Sequence, residues 1–184
     1  MAYHQPFQIT GFHSCDKKIG LQVLNGKIDL LPSDKKWDWL GKGIYFWEQN
    51  PQRAFEYATK CATGEQKFSG KIETPFVIGA IIELGNCLNL VEPRSLQIVK
   101  EAFNGLEKTF KETGKKMPKN DGANRQLDCA EIRYLHETRR INKYLEYDTI
   151  RSPYQEGGKL YHGATFTSHL HIEISVLNPE AIKG

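Results

Sequence analysis

At 184 residues, 39% hydrophobic and 26% charged, the chain has the size of one domain with a sizeable core and the composition of a soluble globular protein. A formal net charge of +3 does not by itself demand a nucleic-acid partner. The longest apolar run, Phe76 to Ile82, is much too short to span a bilayer and reads as a buried strand.

No N-terminal stretch has the apolar segment of a signal peptide. Cys15, Cys61, Cys87 and Cys129 are widely spaced, without a CxxC pair or a metal-finger pattern, which fits reduced thiols in a cytoplasm. Gly-rich phosphate fingerprints of Rossmann and P-loop type are absent.

The first expected element is a strand over 6–14, where Phe7-Gln-Ile-Thr-Gly-Phe-His-Ser14 alternates and ends at His13. A loop with a short strand or turn follows to 39, and then a strand over 43–47. That strand belongs to Leu40-Gly-Lys-Gly-Ile-Tyr-Phe-Trp47. Gly41 and Gly43 allow backbone geometry and close ligand approach that a Cβ would block. Tyr45 offers a flat ring with a polar tip beside them. Asn50 is a good N-cap and Pro51 suits the first helical position, so a helix is expected over 51–63. It carries Arg53, Ala54 and Tyr57 behind the loop.

A strand over 75–85 and a helix near 93–113 come next. The stretch 114–126 reads as a flexible basic loop. Lys108, Lys111, Lys115, Lys116, Lys119 and Arg125 cluster around it, with Arg133, Arg139, Arg140 and Lys143 on the following helix, about 127–143. Such a patch could track a phosphate backbone, although Glu107, Glu112, Asp121, Glu131 and Glu137 are interleaved. Asp128 near the start of that helix suits its dipole. After a mixed segment, His169-Leu-His-Ile-Glu-Ile-Ser-Val-Leu177 alternates with period two. Leu170, Ile172, Ile174 and Val176 share one face; His169, His171, Glu173 and Ser175 share the other. An inward carboxylate at Glu173 needs a hydrogen-bonding partner. Unequal helices between strands indicate an α+β or mixed α/β class.

The glycine-tyrosine segment, with the histidine strand before it and the glutamate strand after it, resembles the diphtheria-toxin-like and poly(ADP-ribose)-polymerase-like ADP-ribosyltransferases of the His-Tyr-Glu class. The clear matches cover roughly the first 60 and last 30 residues; 86–150 reads as a helical, basic insertion within a single domain over 1–184. The resemblance implies an α+β fold with a split pair of small β-sheets and bent NAD, as co-substrate, in the cleft between them. It assigns His13 to the adenosine ribose and Ser14, where many members have glycine, to the nicotinamide amide through its backbone. It assigns Tyr45 to stacking on nicotinamide, with Gly43 at the ring's edge and Tyr57 closing the other side. Glu173 becomes the catalytic carboxylate, with no metal required. The segment Ser152–Ser168 would be the target-recognition loop, with Phe166 and His171 recognising the acceptor. His171 two residues before the glutamate argues against an arginine acceptor.

The function implied is mono-ADP-ribosyl transfer from NAD to a macromolecule, with nucleic acid slightly favoured over protein by the basic stretch. A small cytoplasmic transferase of this kind resembles bacterial or phage toxins and effectors, including antiviral toxin-antitoxin members, which implies a neutralising partner. Two rival readings stand beside it. One is a catalytically silent module that binds NAD or ADP-ribose; the other is a cupin-like metal enzyme using His169, His171 and Glu173.

Overall fold

Each strand that carries a candidate residue lies in one curled mixed sheet, in a computed structural model that describes residues 8–66, 71–122 and 124–184. Pro6 and Phe7, where the first expected strand begins, lie outside the described residues. In chain order the main elements are β1 (Gln8–Asp16), α1 (Lys17–Leu24), β2 (Ile44–Glu48), α2 (Pro51–Ala62), β3 (Pro75–Glu83), β4 (Cys87–Asn89) and α3 (Pro93–Thr113). A small hairpin, β5 (Asn120–Asp121) and β6 (Asn124–Arg125), leads into α4 (Gln126–Ile141), β7 (Thr149–Lys159) and β8 (Thr167–Val176). The fold class is α+β, as expected.

The strand order is β3-β1-β2-β8-β7-β4. β1 pairs with β3 along its whole length, from Gln8 opposite Glu83 to Asp16 opposite Pro75. Its pairing with β2 is confined to Gly11 opposite Glu48 and Phe12 opposite Trp47. In place of the two small sheets expected, these strands form one six-stranded sheet, pinched where β1 and β2 pair at two positions. β2 runs antiparallel to β8, with Tyr45 opposite Ser175 and Trp47 opposite Glu173. Because paired residues point to the same face, Tyr45, Trp47, Glu173 and Ser175 share one side.

The opposite side is the main core. Ile44, Phe46, Ile174 and Val176 meet Ala80, Ile82, Leu84 and Ala181 there. Phe46 and Ile82 are wholly buried, a state that stabilises by about 1.5–3 kcal/mol per large apolar side chain. A second cluster joins Leu40, Leu88, Ile132, Leu135, Tyr147 and Ile150, with Tyr45 packed against it. Ile132 and Leu135 belong to α4, and Leu88 and Ile150 to β4 and β7. The stretch 86–150 thus supplies an edge strand and most of the second cluster. α3 packs on α4, and α2 lies across β1 and β3.

Local chemistry explains most boundaries. The Asn50 side chain accepts from Arg53 N at 3.0 Å and Pro51 takes the first helical position, as the sequence indicates. Gly114, at φ 65, ends α3 in the left-handed conformation that glycine adopts without strain. Asn120 accepts from the backbone N–H groups of Leu127 and Asp128 at 3.0 and 3.2 Å, satisfying the start of α4 from the preceding hairpin. Asp16 caps α1 and also receives Glu73 N and Thr74 N, each at 2.9 Å. These backbone donors hold its carboxyl below the usual range.

Several expectations differ from the structure. The loop expected before 39 contains α1. The basic loop over 114–126 contains the β5–β6 hairpin and the first residue of α4. The recognition loop expected over Ser152–Ser168 is largely strand: β7 runs on to Lys159 and β8 resumes at Thr167. Only 160–166 connects them. The apolar run in β3 alternates, with Ile78, Ala80 and Ile82 buried and Ile81 exposed, because β3 is an edge strand with one face to the core.

Candidate active site

Tyr45, Trp47 and Glu173 leave the same face of the sheet at the pinch, where β1 and β2 part. A cavity of about 350 Å³ lies over them, near the lower end of the range for small-molecule sites. Its wall is aromatic and acidic. Trp39, Tyr45, Trp47, Tyr57 and Tyr154 supply rings, while Asp38, Glu156 and Glu173 supply carboxylates. Lys35 and Arg53 are the cationic side chains on the described lining.

The loop before β2 is built to deliver Trp39. Ser33 and Gly43 exchange backbone hydrogen bonds at 2.8 and 3.0 Å, closing the loop at its base. Asp38 accepts from Ser33 Oγ at 2.7 Å and Lys35 N at 2.5 Å, and its backbone carbonyl accepts from Gly41 N. Burial raises the Asp38 carboxyl, opposed by the Lys35 N–H and the Ser33 hydroxyl. The Tyr45 hydroxyl donates to Gly41 O at 2.8 Å and accepts from Leu40 N at 3.1 Å. Both of its hydrogen-bonding functions are therefore spent on the loop. Burial pushes the phenol well above its ordinary value, with Asp38 and Glu173 adding to the rise, so it stays neutral.

Held in this way, the Trp39 indole donates to Glu173 Oε2 at 2.6 Å. The other carboxylate oxygen, Oε1, lies 3.1 Å from His171 Nε2. A carboxylate accepts only, so Nε2 carries the proton in this contact. His171 is buried and its Nδ1 has no hydrogen-bond partner among the described residues. Tilted rings pack around the acid: Trp39 and Tyr154 centroids are 4.7 Å apart, Tyr154 and His171 5.5 Å, and Trp47 and Tyr57 5.0 Å. Burial raises the Tyr57 phenol well above its usual value.

The candidate residues fall into two groups. Tyr45, Tyr57 and Glu173 line the cavity together, and His171 backs Glu173. His13 stands at the pinch itself. Its Nδ1 lies 2.8 Å from Tyr45 O and its ring is 5.5 Å from Phe46, so it bridges β1 to β2 where their pairing stops. Burial lowers its pKa, opposed by the bond to Tyr45. Neutral at pH 7, it donates through Nδ1–H, because a carbonyl can only accept. Ser14 Oγ donates to Ala54 O, tying β1 to α2. The close approach at Gly43 is to the protein itself: a Cβ there would meet the Ser175 hydroxyl and the Val176 carbonyl. Gly41 is at φ 73, and a Cβ there would crowd Ile132. Phe166 sits in the exposed connection between β7 and β8.

Trp39, Arg53, Tyr154 and Glu156 were not among the candidates. The doublet Trp37-Asp38-Trp39 beside the glycines was the available signal for the first. Arg53 could have been flagged as a cation on the buried side of an amphipathic helix. Tyr154 and Glu156 become visible only once β7 is known to pair with β8.

His169, His171 and Glu173 do not form a chelating set, and among the described residues no group of three or more His, Cys, Asp or Glu is placed to hold a metal ion. Likewise, no helix among those residues is long and apolar enough to cross a membrane. No family model, curated protein or solved structure matches this chain.

Proposed function

We propose that the protein transfers a single ADP-ribosyl group from NAD to a macromolecular acceptor and releases nicotinamide. The observation that supports this most is the shared cavity. Tyr45 and Glu173 come from distant parts of the chain, face the same space, and are accompanied by Tyr57 on its lining.

The chemistry asks for such a set. Cleavage of the bond between nicotinamide and ribose develops positive charge on the sugar, as in glycoside hydrolysis. A fixed carboxylate lowers the energy of that charge, and more so where water is excluded. Glu173 is fixed on both oxygens, by Trp39 and by His171. In this reading it also accepts from the ribose 2′-hydroxyl and orients the incoming acceptor. The rings of Tyr45 and Tyr57 hold the pyridinium in its departing orientation. His13 acts on the dinucleotide's adenosine end or, through the Tyr45 carbonyl, on the placement of β2.

The acceptor is a macromolecule of the cytoplasm, and the protein acts as a toxin or effector that a partner neutralises. A nucleic-acid acceptor draws support from Lys115, Lys116, Lys119 and Arg125. Arg125 lies 5.6 Å over the Tyr154 ring at the cavity wall. Four others of the basic stretch are matched internally, since Lys108, Lys111, Arg133 and Arg140 pair with Glu112, Glu107, Asp34 and Glu137. Incubation of the protein and labelled NAD with cell lysate tests the proposal. Label should enter a macromolecule, and its loss to nuclease rather than protease identifies nucleic acid as the acceptor. No labelled product in any lysate would favour a silent binding module.

A further inference from the structure

Arg53 is one of the two cationic side chains on the described cavity lining, and it is left unfinished. It is 7% exposed, its guanidinium carbon lies 5.9 Å from the centre of the Trp47 ring, and it forms an ion pair with Glu156 through Nη2. Its Nε and Nη1 are buried and have no hydrogen-bond partner among the described residues. The Trp47 indole Nε1, on the same wall, is also buried without one. Buried donors are almost always satisfied, because an unmade hydrogen bond in the interior is expensive. Two adjoining side chains of the cavity lining thus hold unmet donors, and a ligand oxygen that reaches them would satisfy both.

The charge around them says which kind of oxygen. Lys35 and Arg53 face three carboxylates on the lining, Asp38, Glu156 and Glu173. Glu156 already offsets the guanidinium charge. Such a wall disfavours a second anion at Arg53 and favours a neutral carbonyl on a cationic ring.

Resting on the transferase reading, we infer that Arg53, with the Trp47 indole beside it, receives the carboxamide oxygen of the pyridinium ring. Glu156 sets the preference for that neutral amide over the corresponding carboxylate. Arg53 is thereby a specificity residue for the leaving group, and Glu156 tunes it.

The test uses nicotinamide, nicotinate, NAD and ADP-ribose as separate probes, read by calorimetry on the whole protein. Wild type should bind nicotinamide more tightly than nicotinate. Glu156→Gln uncovers the guanidinium charge and should move that ratio toward nicotinate by about tenfold, since charge-assisted hydrogen bonds are about twice as strong as neutral ones. The double variant Arg53→Met/Glu156→Gln removes the pair without stranding a buried carboxylate. It should weaken nicotinamide by about tenfold or more, the loss of one good hydrogen bond, while ADP-ribose affinity stays within about twofold. Unchanged ratios in a wild type and variants that all bind ADP-ribose would overturn the role of Arg53 and leave the transferase reading standing. A wild type that binds neither NAD nor ADP-ribose would overturn both.

Discussion

Trp39 and Glu173 stand 134 positions apart in the chain, and the indole N–H of one meets the carboxylate of the other at 2.6 Å. A loop closed by Ser33 and Gly43 and pinned by the Tyr45 hydroxyl holds the donor in place. The acceptor stands on β8, the strand paired with that of Tyr45. The catalytic acid in our proposal is thus oriented by the same loop that carries the glycine-tyrosine motif.

Trp39→Phe keeps an aromatic ring against Tyr154 and removes the donor together with part of the indole. Loss of one preorganised donor to a reacting carboxylate should lower kcat by about tenfold to a hundredfold, with little change in thermal stability. Steady-state release of nicotinamide checks it. An unaltered kcat would show that the indole serves packing alone.

Gly43→Ala should break the junction of β2 with β8. The new methyl would strike the Ser175 hydroxyl and lie 3.0 Å from the Val176 carbonyl. Overpacking of this kind costs about 1–3 kcal/mol, or roughly 2–12 °C in Tm at this chain length. Adding Ser175→Gly opens the space and should restore part of the loss. Thermal melts of the single and double variants decide the matter.

His13→Leu leaves the Tyr45 carbonyl without its donor at the pinch. A penalty of about 1–3 kcal/mol is expected from an unsatisfied buried carbonyl. Because the His13 pKa is lowered, its neutral form is favoured in the folded state. That contribution is fully present above the ordinary histidine value of 6.5 and is lost as pH falls through the lowered folded value. The Tm deficit of the variant should therefore shrink toward acid pH. A deficit that grows on acidification would contradict this.

Glu131 supplies a stability prediction of the opposite sign. It is buried on α4 with one oxygen unpartnered. Burial, helped by Asp128, pushes its carboxyl from 4.5 up to about 8. Between these values the unfolded chain ionises and the folded one does not, so the contribution is present below 4.5 and is lost as pH rises to about 8. Glu131→Gln should raise Tm by several degrees at alkaline pH and change it little in acid. Melting curves across pH read this directly, and equal effects at both ends would refute it.

Much of the frame was legible in the sequence. β2, α2 and β8 were marked by a capped helix and a clean period of two, and these three elements carry Tyr45, Tyr57 and Glu173. β7 was hidden because Pro153, Gly157 and Gly158 interrupt it. The strand tolerates Pro153 because β4 pairs only with Thr149–Arg151, so beyond that point the outer edge of β7 needs no donor. α1 was hidden because it has little inward face: Gly20 is its buried residue, set against Phe76, while Ile19, Leu21 and Leu24 are exposed. Trp39 and Arg53 carried local signals but not their roles. Their meaning depends on which distant strands meet beneath them, and no local pattern records that.

The most direct test is nicotinamide release from NAD by wild type and by Glu173→Gln, measured alongside NAD affinity. The substitution keeps the size of the side chain and its contact with Trp39 while removing the negative charge. The account predicts turnover lower by at least about a hundredfold with NAD binding retained, as for loss of one preorganised electrostatic group. Near-normal turnover in that variant, with NAD bound as tightly as in wild type, would contradict it.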